Sequence, residues 1–267
     1  MRSLILSDIH GNLEALTAVL TAATLEGGFD QLWNLGDMVG YGASPNQVID
    51  RIRPLSTVVV RGNHDRVCCG LTSPNNFNPV ARAAALWTRE ELTPANLDWL
   101  RDAPQGPIYP GGVEAVCCVH GSPLNEDQYI LTMRDAWAPL QQSASAITFF
   151  GHTHIQGGFS RREHDWHELR PRYPGGFGGR PEARELAVRN QAARWTLTLL
   201  PGTRHLINPG SVGQPRDHDW RAGFALYDSD AGEITFHRVP YDVLASQGRI
   251  LMAGLPERLA LRLREGR

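Results

Sequence analysis

The chain has 267 residues, of which 42% are hydrophobic, 26 are lysine or arginine and 28 are aspartate or glutamate. Its net charge of −2 argues against the extended basic surface that nucleic acids or anionic membranes attract, so we expect neither as a partner. No apolar run reaches the roughly 18 residues of a membrane span, and the apolar stretch before Asp8 is too short for a signal peptide, so we expect a cytoplasmic protein.

Five short apolar runs, each typical of a buried strand, end at polar residues. Residues 4–6 lead into Asp8-Ile9-His10, residues 32–35 into Gly36-Asp37, residues 58–60 into Gly62-Asn63-His64, residues 113–119 into His120-Gly121, and residues 147–150 into Gly151-His152-Thr153-His154. In open α/β sheets, ligands bind beyond the carboxyl ends of the strands. We therefore expect these polar side chains to converge at one site.

Helical patterns separate the strands and predict an α/β fold with parallel β-α-β units. The predicted helices lie between Leu13 and Ala23 and at residues 44–53, 79–91, 94–101 and 134–142. Adjacent cysteines, Cys68-Cys69 and Cys117-Cys118, are interpreted as small buried hydrophobic residues and not as disulfides.

Residues 157–194 are rich in arginine, glycine and proline and show no sustained periodicity. We interpret them as an insertion, with a hairpin that ends in residues 195–200. Residues 222–227 and 234–239 predict a β-hairpin, and residues 241–267 an amphipathic helical segment with Leu244, Leu251, Leu255 and Leu259 as its apolar positions. The economical organisation is a single domain over 1–267.

The polar strand ends carry the ligand types of a dinuclear metal site. A carboxylate can bridge two cations, and Asp37 is the best placed to do so. In an extended chain, residues i and i+2 point to the same side, so Asp8 and His10 are expected to reach one metal together, and His152 and His154 likewise. Nitrogen and oxygen donors without thiolate indicate manganese, iron or zinc, with manganese favoured.

The residues Asp8-Ile9-His10, Gly36-Asp37, Gly62-Asn63-His64-Asp65, His120 and Gly151-His152-Thr153-His154 together resemble the five motifs of the calcineurin-like metallophosphoesterase superfamily. The resemblance implies a β-sandwich of two mixed sheets flanked by helices. It also implies one metal held by Asp8, His10, Asp37 and His154, and a second held by Asp37, Asn63, His120 and His152. A hydroxide bridging the metals would attack phosphorus.

The same resemblance assigns His64 a catalytic role, in which it binds the substrate phosphate and protonates the leaving oxygen. Tyr41-Gly42 and the segment from Asn208 to Arg216 resemble a bacterial branch of small phosphodiesterases and diadenosine-tetraphosphatase-like enzymes. In Ser/Thr protein phosphatases an Asp-Arg-Gly step follows the second motif, and its aspartate orients the acid histidine. This chain has Gly40-Tyr41-Gly42 there, so the sequence does not identify the group that orients His64.

Asn12 and two arginines each have both a structural and a functional interpretation. Asn12 is placed to cap the first helix, and it is also placed to contact substrate at the helix N-terminus. Arg61 and Arg216 are candidates for phosphate contacts, although an arginine is more often solvated or structural.

The sequence favours a metal-dependent phosphodiesterase that acts on nucleotides or other small phosphoesters. A dinucleoside polyphosphate hydrolase is the alternative within the same chemistry. A non-catalytic interaction scaffold of the same fold is the alternative from another class, and the complete ligand set argues against it. The sequence leaves a homo-oligomer open.

Overall fold

The computed structural model describes residues 1–173 and 191–267. The strands within them are β1 (Arg2–Leu6), β2 (Gln31–Asn34), β3 (Ser56–Val59), β4 (Val116–Cys118), β5 (Ile147–Phe149), β6 (Gly157–Arg162), β7 (Asp165–Leu169), β8 (Ala193–Thr198), β9 (Arg204–Asn208), β10 (Ala222–Asp228) and β11 (Glu233–Val239). The helices are α1 (Leu13–Leu25), α2 (Pro45–Ile52), α3 (Asn63–Cys68), α4 (Pro79–Glu91), α5 (Pro94–Asp102), α6 (Met133–Gln142), α7 (Val243–Met252) and α8 (Glu257–Glu265), with a 3₁₀ turn at Pro74–Asn76.

The strands form two mixed sheets. The first sheet has the order β3-β2-β1-β10-β11-β8, in which β1, β2 and β3 run parallel and the other pairs are antiparallel. The second has the order β4-β5-β9-β6-β7, in which β4, β5 and β9 run parallel. All five predicted strand runs are present, and β9 is a sixth parallel strand that ends at the same edge as its neighbours.

A hydrophobic layer between the sheets makes the molecule a sandwich. Trp33 on β2 and Phe149 on β5 meet edge to face with ring centroids 5.8 Å apart. Side chains alternate along each strand, so Ile5 on β1 enters this inner layer while Leu4 and Leu6 face the helices on the outside. The predicted fold of two mixed sheets flanked by helices is confirmed.

The C-terminal segment is helical as predicted, but its apolar face is different. A turn that includes Leu255 separates α7 from α8, so the helical phase is not continuous. Leu244 and Leu251 are 66% and 52% exposed, whereas Ile250, Leu255 and Leu259 are buried. The prediction for Leu244 and Leu251 was therefore wrong, because it assumed one uninterrupted helix.

The segment 157–194, interpreted as an insertion, begins with regular strands. Strands β6 and β7 lie within it and form an antiparallel hairpin at the edge of the second sheet. Strand β8 belongs to the other sheet, where it pairs antiparallel with β11. Residues 174–190 lie outside the described part of the chain. Within that part, no helix has the length and apolar character to cross a membrane.

Candidate metal centre

The polar residues predicted from the strand ends do converge. Asp8 follows β1, Asp37 follows β2, Asn63 begins α3 after β3, His120 follows β4, and His152 and His154 follow β5. Asp8, His10, Asp37, His120, His152 and His154 are all buried. Their donor atoms form two groups, each with all of its atoms within 4.8 Å of one another: Asp8, His10, Asp37 and His154 in one, and Asp37, His120 and His152 in the other.

The first group contains two imidazole lone pairs that face each other. His10 Nδ1 lies 3.1 Å from the carbonyl oxygen of Val39, and His154 Nδ1 lies 2.6 Å from that of Gln214. Because a carbonyl oxygen only accepts hydrogen bonds, both Nδ1 atoms carry the proton and both Nε2 atoms present lone pairs. The two Nε2 atoms are 3.2 Å apart. This approach is repulsive unless a cation binds both nitrogens.

The second group repeats this arrangement. His120 Nδ1 lies 2.8 Å from the carbonyl oxygen of Leu35, and His152 Nε2 lies 3.3 Å from that of Asp127. The ring nitrogens that face the site, His120 Nε2 and His152 Nδ1, are 3.1 Å apart. Asn63 adds its side-chain oxygen at 3.2 Å from His120 Nε2. Carbonyl partners of this kind fix the tautomer and the orientation of histidines that bind metals.

Asp37 lies between the two groups. Its Oδ2 is 3.6 Å from His10 Nε2 and 3.4 Å from His120 Nε2, while its Oδ1 accepts the backbone N–H of His64 at 2.8 Å. In the first group, Asp8 Oδ1 is 3.3 Å from His154 Nε2 and has no hydrogen-bond partner. Donors bound to one ion at about 2.1 Å are separated by about 3 to 3.4 Å, so these spacings fit divalent cations.

The electrostatics of the metal-free site point the same way. Burial lowers the pKa of His10 and His154 well below the usual value, which keeps these rings neutral, as metal ligands must be. Burial lowers the pKa of His120 as well, but the Asp37 carboxylate outweighs it and raises that pKa to about 10. Burial raises the pKa of the Asp8 carboxyl to about 7. A cation would stabilise the Asp8 carboxylate and displace the proton of His120.

The backbone at these residues is left-handed, which is unusual for side chains larger than glycine. The φ angles are +53° at Asp8, +48° at His10, +53° at Asp37, +66° at His152 and +60° at His154. The reasoning that an extended chain brings Asp8 and His10, or His152 and His154, to one side is therefore wrong. The sharp turns of these loops aim the paired side chains inward.

His64, the predicted acid, lies on α3 with its ring packed between Tyr41 and Phe77, at centroid distances of 4.3 and 4.5 Å. Its Nδ1 is buried without a hydrogen-bond partner, and a Cβ atom at Gly40 would lie 2.6 Å from it. Burial lowers the pKa of His64 to about 4, so the ring is neutral at pH 7 in the free protein. Packing against Tyr41 and Phe77 therefore positions the His64 ring.

Asn12 has the capping role that was one of its two alternatives. Its Oδ1 accepts the N–H of Ala15 at 3.1 Å and the hydroxyl of Ser246 at 2.9 Å, and its Nδ2 donates to Gly213 at 2.9 Å. The side chain is buried. Contact between Asn12 and substrate stays a prediction.

Several residues of the recognised motifs have supporting roles that were not assigned from the sequence. Ser211 donates to the carbonyl oxygen of Asp8 at 2.7 Å, and Asn208 donates to that of Gly151 at 2.9 Å. Asp65 accepts the backbone N–H groups of Val39 and Gly62 at 3.2 and 3.0 Å. A usable signal was present, because the turn after β9 follows a strand end as the ligand loops do.

A sandwich of mixed sheets, with carboxylates and imidazoles gathered in two groups at the strand ends, defines the class of metal-dependent hydrolases. The sequence matches the model of the Calcineurin-like phosphoesterase family over residues 1–195, and the chain belongs to that family. The resemblance stated from its motifs is thereby confirmed. The protein is an enzyme that hydrolyses phosphoesters.

Three relatives give the range of similarity. The chain is 32% identical to an uncharacterized protein of Methanocaldococcus jannaschii over 265 residues, which are 98% of this chain and 97% of that protein. A crystal structure of a metallophosphoesterase from Sphaerobacter thermophilus aligns with a TM-score of 0.80 and 37% identity, over 100% of this chain and 99% of that one. A symmetrical bis(5'-nucleosyl)-tetraphosphatase of Yersinia enterocolitica is 36% identical over 110 residues, covering 39% of this chain and 36% of that protein.

Proposed function

We propose that this enzyme is a dinuclear metal-dependent phosphodiesterase that acts on nucleotides or other small phosphoesters. The observation that carries the proposal is the pair of opposed ring nitrogens in each donor group, 3.2 and 3.1 Å apart, with Asp37 between the groups. One ion would be held by Asp8, His10, Asp37 and His154, and the other by Asp37, Asn63, His120 and His152. The absence of thiolate from this set favours manganese, with iron and zinc as alternatives.

The residues around the proposed ions have separate tasks. When bound, divalent cations lower the pKa of water and polarise phosphoryl oxygens. The backbone carbonyl groups of Val39 and Leu35 hold the imidazoles of His10 and His120 in the tautomer that presents Nε2. His64 lies beside His10, with ring centroids 4.9 Å apart, so its imidazole is placed to donate a hydrogen bond or a proton to the phosphoester.

A dinucleoside polyphosphate hydrolase remains the second candidate. Its support is the similarity to symmetrical bis(5'-nucleosyl)-tetraphosphatases, which covers 39% of this chain in the Yersinia enterocolitica example. Both candidates use the same metal centre and differ in the bond that is hydrolysed.

The test combines metal analysis with a substrate panel. Purified protein loaded with Mn²⁺ is assayed on p-nitrophenyl phosphate, bis(p-nitrophenyl) phosphate, cyclic nucleotides, a dinucleoside tetraphosphate and a phosphopeptide. We expect two metal ions per chain and hydrolysis of small phosphodiesters, and the kcat/KM on these relative to the dinucleoside tetraphosphate separates the two candidates. Asp37→Ala should remove activity and lower metal content more than Asn63→Ala, because Asp37 lies against both groups. Two retained ions in Asp37→Ala would refute the bridging role.

A further inference from the structure

Two arginines from distant parts of the chain meet at the ring of Tyr41. The guanidinium carbon of Arg216, in the loop after β9, lies 5.9 Å from the ring centroid, and that of Arg262, on α8, lies 5.8 Å from it. The same ring lies 4.6 Å from His10 and 4.3 Å from His64, measured between centroids. Tyr41 therefore places two cations next to the proposed metal centre.

Neither guanidinium forms an ion pair with an Asp or Glu side chain of residues 1–173 or 191–267. Arg216 Nη2 donates to Gln214 Oε1 at 3.3 Å, Arg216 also hydrogen bonds with Tyr129, and its Nε is buried without a partner. Arg262 Nε donates to the main-chain oxygen of Arg267, the last residue of the sequence, whose terminal carboxylate is an anionic partner. Both side chains are only partly exposed.

Two buried arginines elsewhere in this protein do pair with aspartates. Arg221 pairs with Asp219 at 2.6 Å, and Arg238 pairs with Asp217. Two partly buried cations placed together, with no Asp or Glu side chain of the described residues paired to either, repel each other, and Arg216 has the buried Nε without a partner. Burial and the nearby charge of Arg216 accordingly lower the pKa of Arg262. Such an arrangement is stabilised when an anion binds between or beside the two groups.

The charge of the anion follows from the charge already present. The proposed ligands include only two carboxylates, Asp8 and Asp37, so a centre with two divalent cations is positive before the arginines are counted. A phosphodiester brings a single negative charge, which the metal centre alone complements. Arg216 and Arg262 add two positive charges, and a chain of linked phosphates supplies at least one negative charge for each phosphate.

We propose that Arg216 and Arg262, held at the ring of Tyr41, form a subsite for a second phosphate group next to the one that is hydrolysed. This inference rests on the proposed function and narrows it to substrates with linked phosphates, such as nucleoside polyphosphates. Arg216 is the nearer to the metal centre of the two by its contacts, because its partner Tyr129 stacks on His152 at 3.9 Å between ring centroids. Arg262 is the more selective probe of the second phosphate.

The experiment compares two substrates in metal-loaded wild type, Arg216→Gln and Arg262→Gln. Bis(p-nitrophenyl) phosphate carries one phosphate, and diadenosine tetraphosphate carries four. We expect Arg262→Gln to lose about 10- to 100-fold in kcat/KM on the tetraphosphate, mainly through KM, as for the loss of a charged hydrogen bond. The loss on the tetraphosphate should exceed that on the single phosphate at least tenfold.

A binding measurement and a matched control accompany the kinetics. The Kd of a non-hydrolysable methylene analogue of a nucleoside triphosphate, measured with Mn²⁺ present, should rise at least tenfold in Arg262→Gln. Arg264→Gln removes an exposed arginine from the same helix and should change neither Kd nor kcat/KM.

Three results would overturn the subsite. Equal losses on both substrates would place the arginines on the reacting phosphate, and unchanged kinetics would remove them from the substrate altogether. Wild type that cleaves bis(p-nitrophenyl) phosphate but not the tetraphosphate would reject the subsite while the proposed function stands. Wild type that cleaves no phosphodiester and no phosphoanhydride would reject the proposed function itself.

Discussion

Replacement of His64 by alanine separates its proposed catalytic role from metal binding. The backbone N–H of His64 donates to Asp37 Oδ1 at 2.8 Å, and this bond does not depend on the side chain. The imidazole itself belongs to neither donor group and packs against Tyr41 and Phe77. His64→Ala should therefore retain both metal ions, with a loss of packing at the Tyr41–Phe77 contact as its structural cost.

The size of the kinetic effect depends on the leaving group. General acid catalysis contributes about 10²- to 10⁴-fold, so kcat should fall by at least about 10²-fold, or about 2.7 kcal/mol, on an alkyl or nucleotide ester. p-Nitrophenolate leaves without a proton, so esters of p-nitrophenol should lose much less. Since burial lowers the pKa of His64 to about 4, the ring is neutral at pH 7 in the protein alone, and the proposed acid role requires that a bound anionic phosphate raise this pKa.

Metal analysis and steady-state kinetics on two diesters decide the role of His64. The diesters share one alcohol and differ in the leaving group, and His64→Gln serves as a control that keeps a hydrogen-bond donor but cannot transfer a proton. Equal losses on both esters, with partial rescue by glutamine, would indicate charge stabilisation in place of proton donation. Loss of one metal ion in His64→Ala would place the ring in the coordination sphere and refute the reasoning.

Three further predictions concern backbone, core and pH. Gly40→Ala puts a methyl group 2.6 Å from His64 Nδ1 at a φ of +86°, so kcat should fall while metal content is kept; an unchanged kcat would contradict this. Arg238→Met leaves Asp217 buried without its partner and should lower the free energy of unfolding by about 3 to 5 kcal/mol in urea denaturation, and a loss under 1 kcal/mol would count against it. Burial lowers the pKa of His205 to about 4, so below about pH 6.5 the unfolded chain takes up a proton that the folded protein rejects. The free energy of unfolding should thus fall by at most about 1.4 kcal/mol per pH unit between pH 6.5 and 4 because of His205. His205→Leu should remove this contribution, so plots of unfolding free energy against pH that run parallel for the two proteins would contradict the prediction.

The candidate ligands could be found from sequence because each follows a strand of continuous apolar residues. A buried parallel strand such as β5 has a strong local pattern, and its end defines an edge of the sheet. The conformation of the loops could not be found in the same way. Asp8 and His154 adopt left-handed φ angles that no local sequence pattern indicates, so the surrounding tertiary contacts must select them.

The parts that sequence reasoning missed depend on long-range pairing. Strand β9 is short, and its position between β5 and β6 is fixed by partners about 50 residues away. The contact between the Arg262 guanidinium and the Tyr41 ring joins residues that are more than 200 positions apart, and no local sequence pattern predicts it. Leu244 and Leu251 are exposed although their spacing predicted burial. A regular spacing of leucines does not show where a helix is interrupted.

The turn after β9 explains how the strained ligand loops are held. Left-handed backbone at a residue other than glycine costs about 1 to 2 kcal/mol, and five of the proposed ligands share it, so the total is comparable with the net stability of a typical domain. The turn opposes that cost through hydrogen bonds to the Asp8 backbone, from Gly213 N at 3.0 Å and from Ser211 Oγ at 2.7 Å. Asp8 in turn accepts the N–H of His152 at 3.1 Å, which joins the β1 and β5 loops. The cost of the strained loops is thus opposed by a connected set of hydrogen bonds, which also fixes where the donor atoms lie.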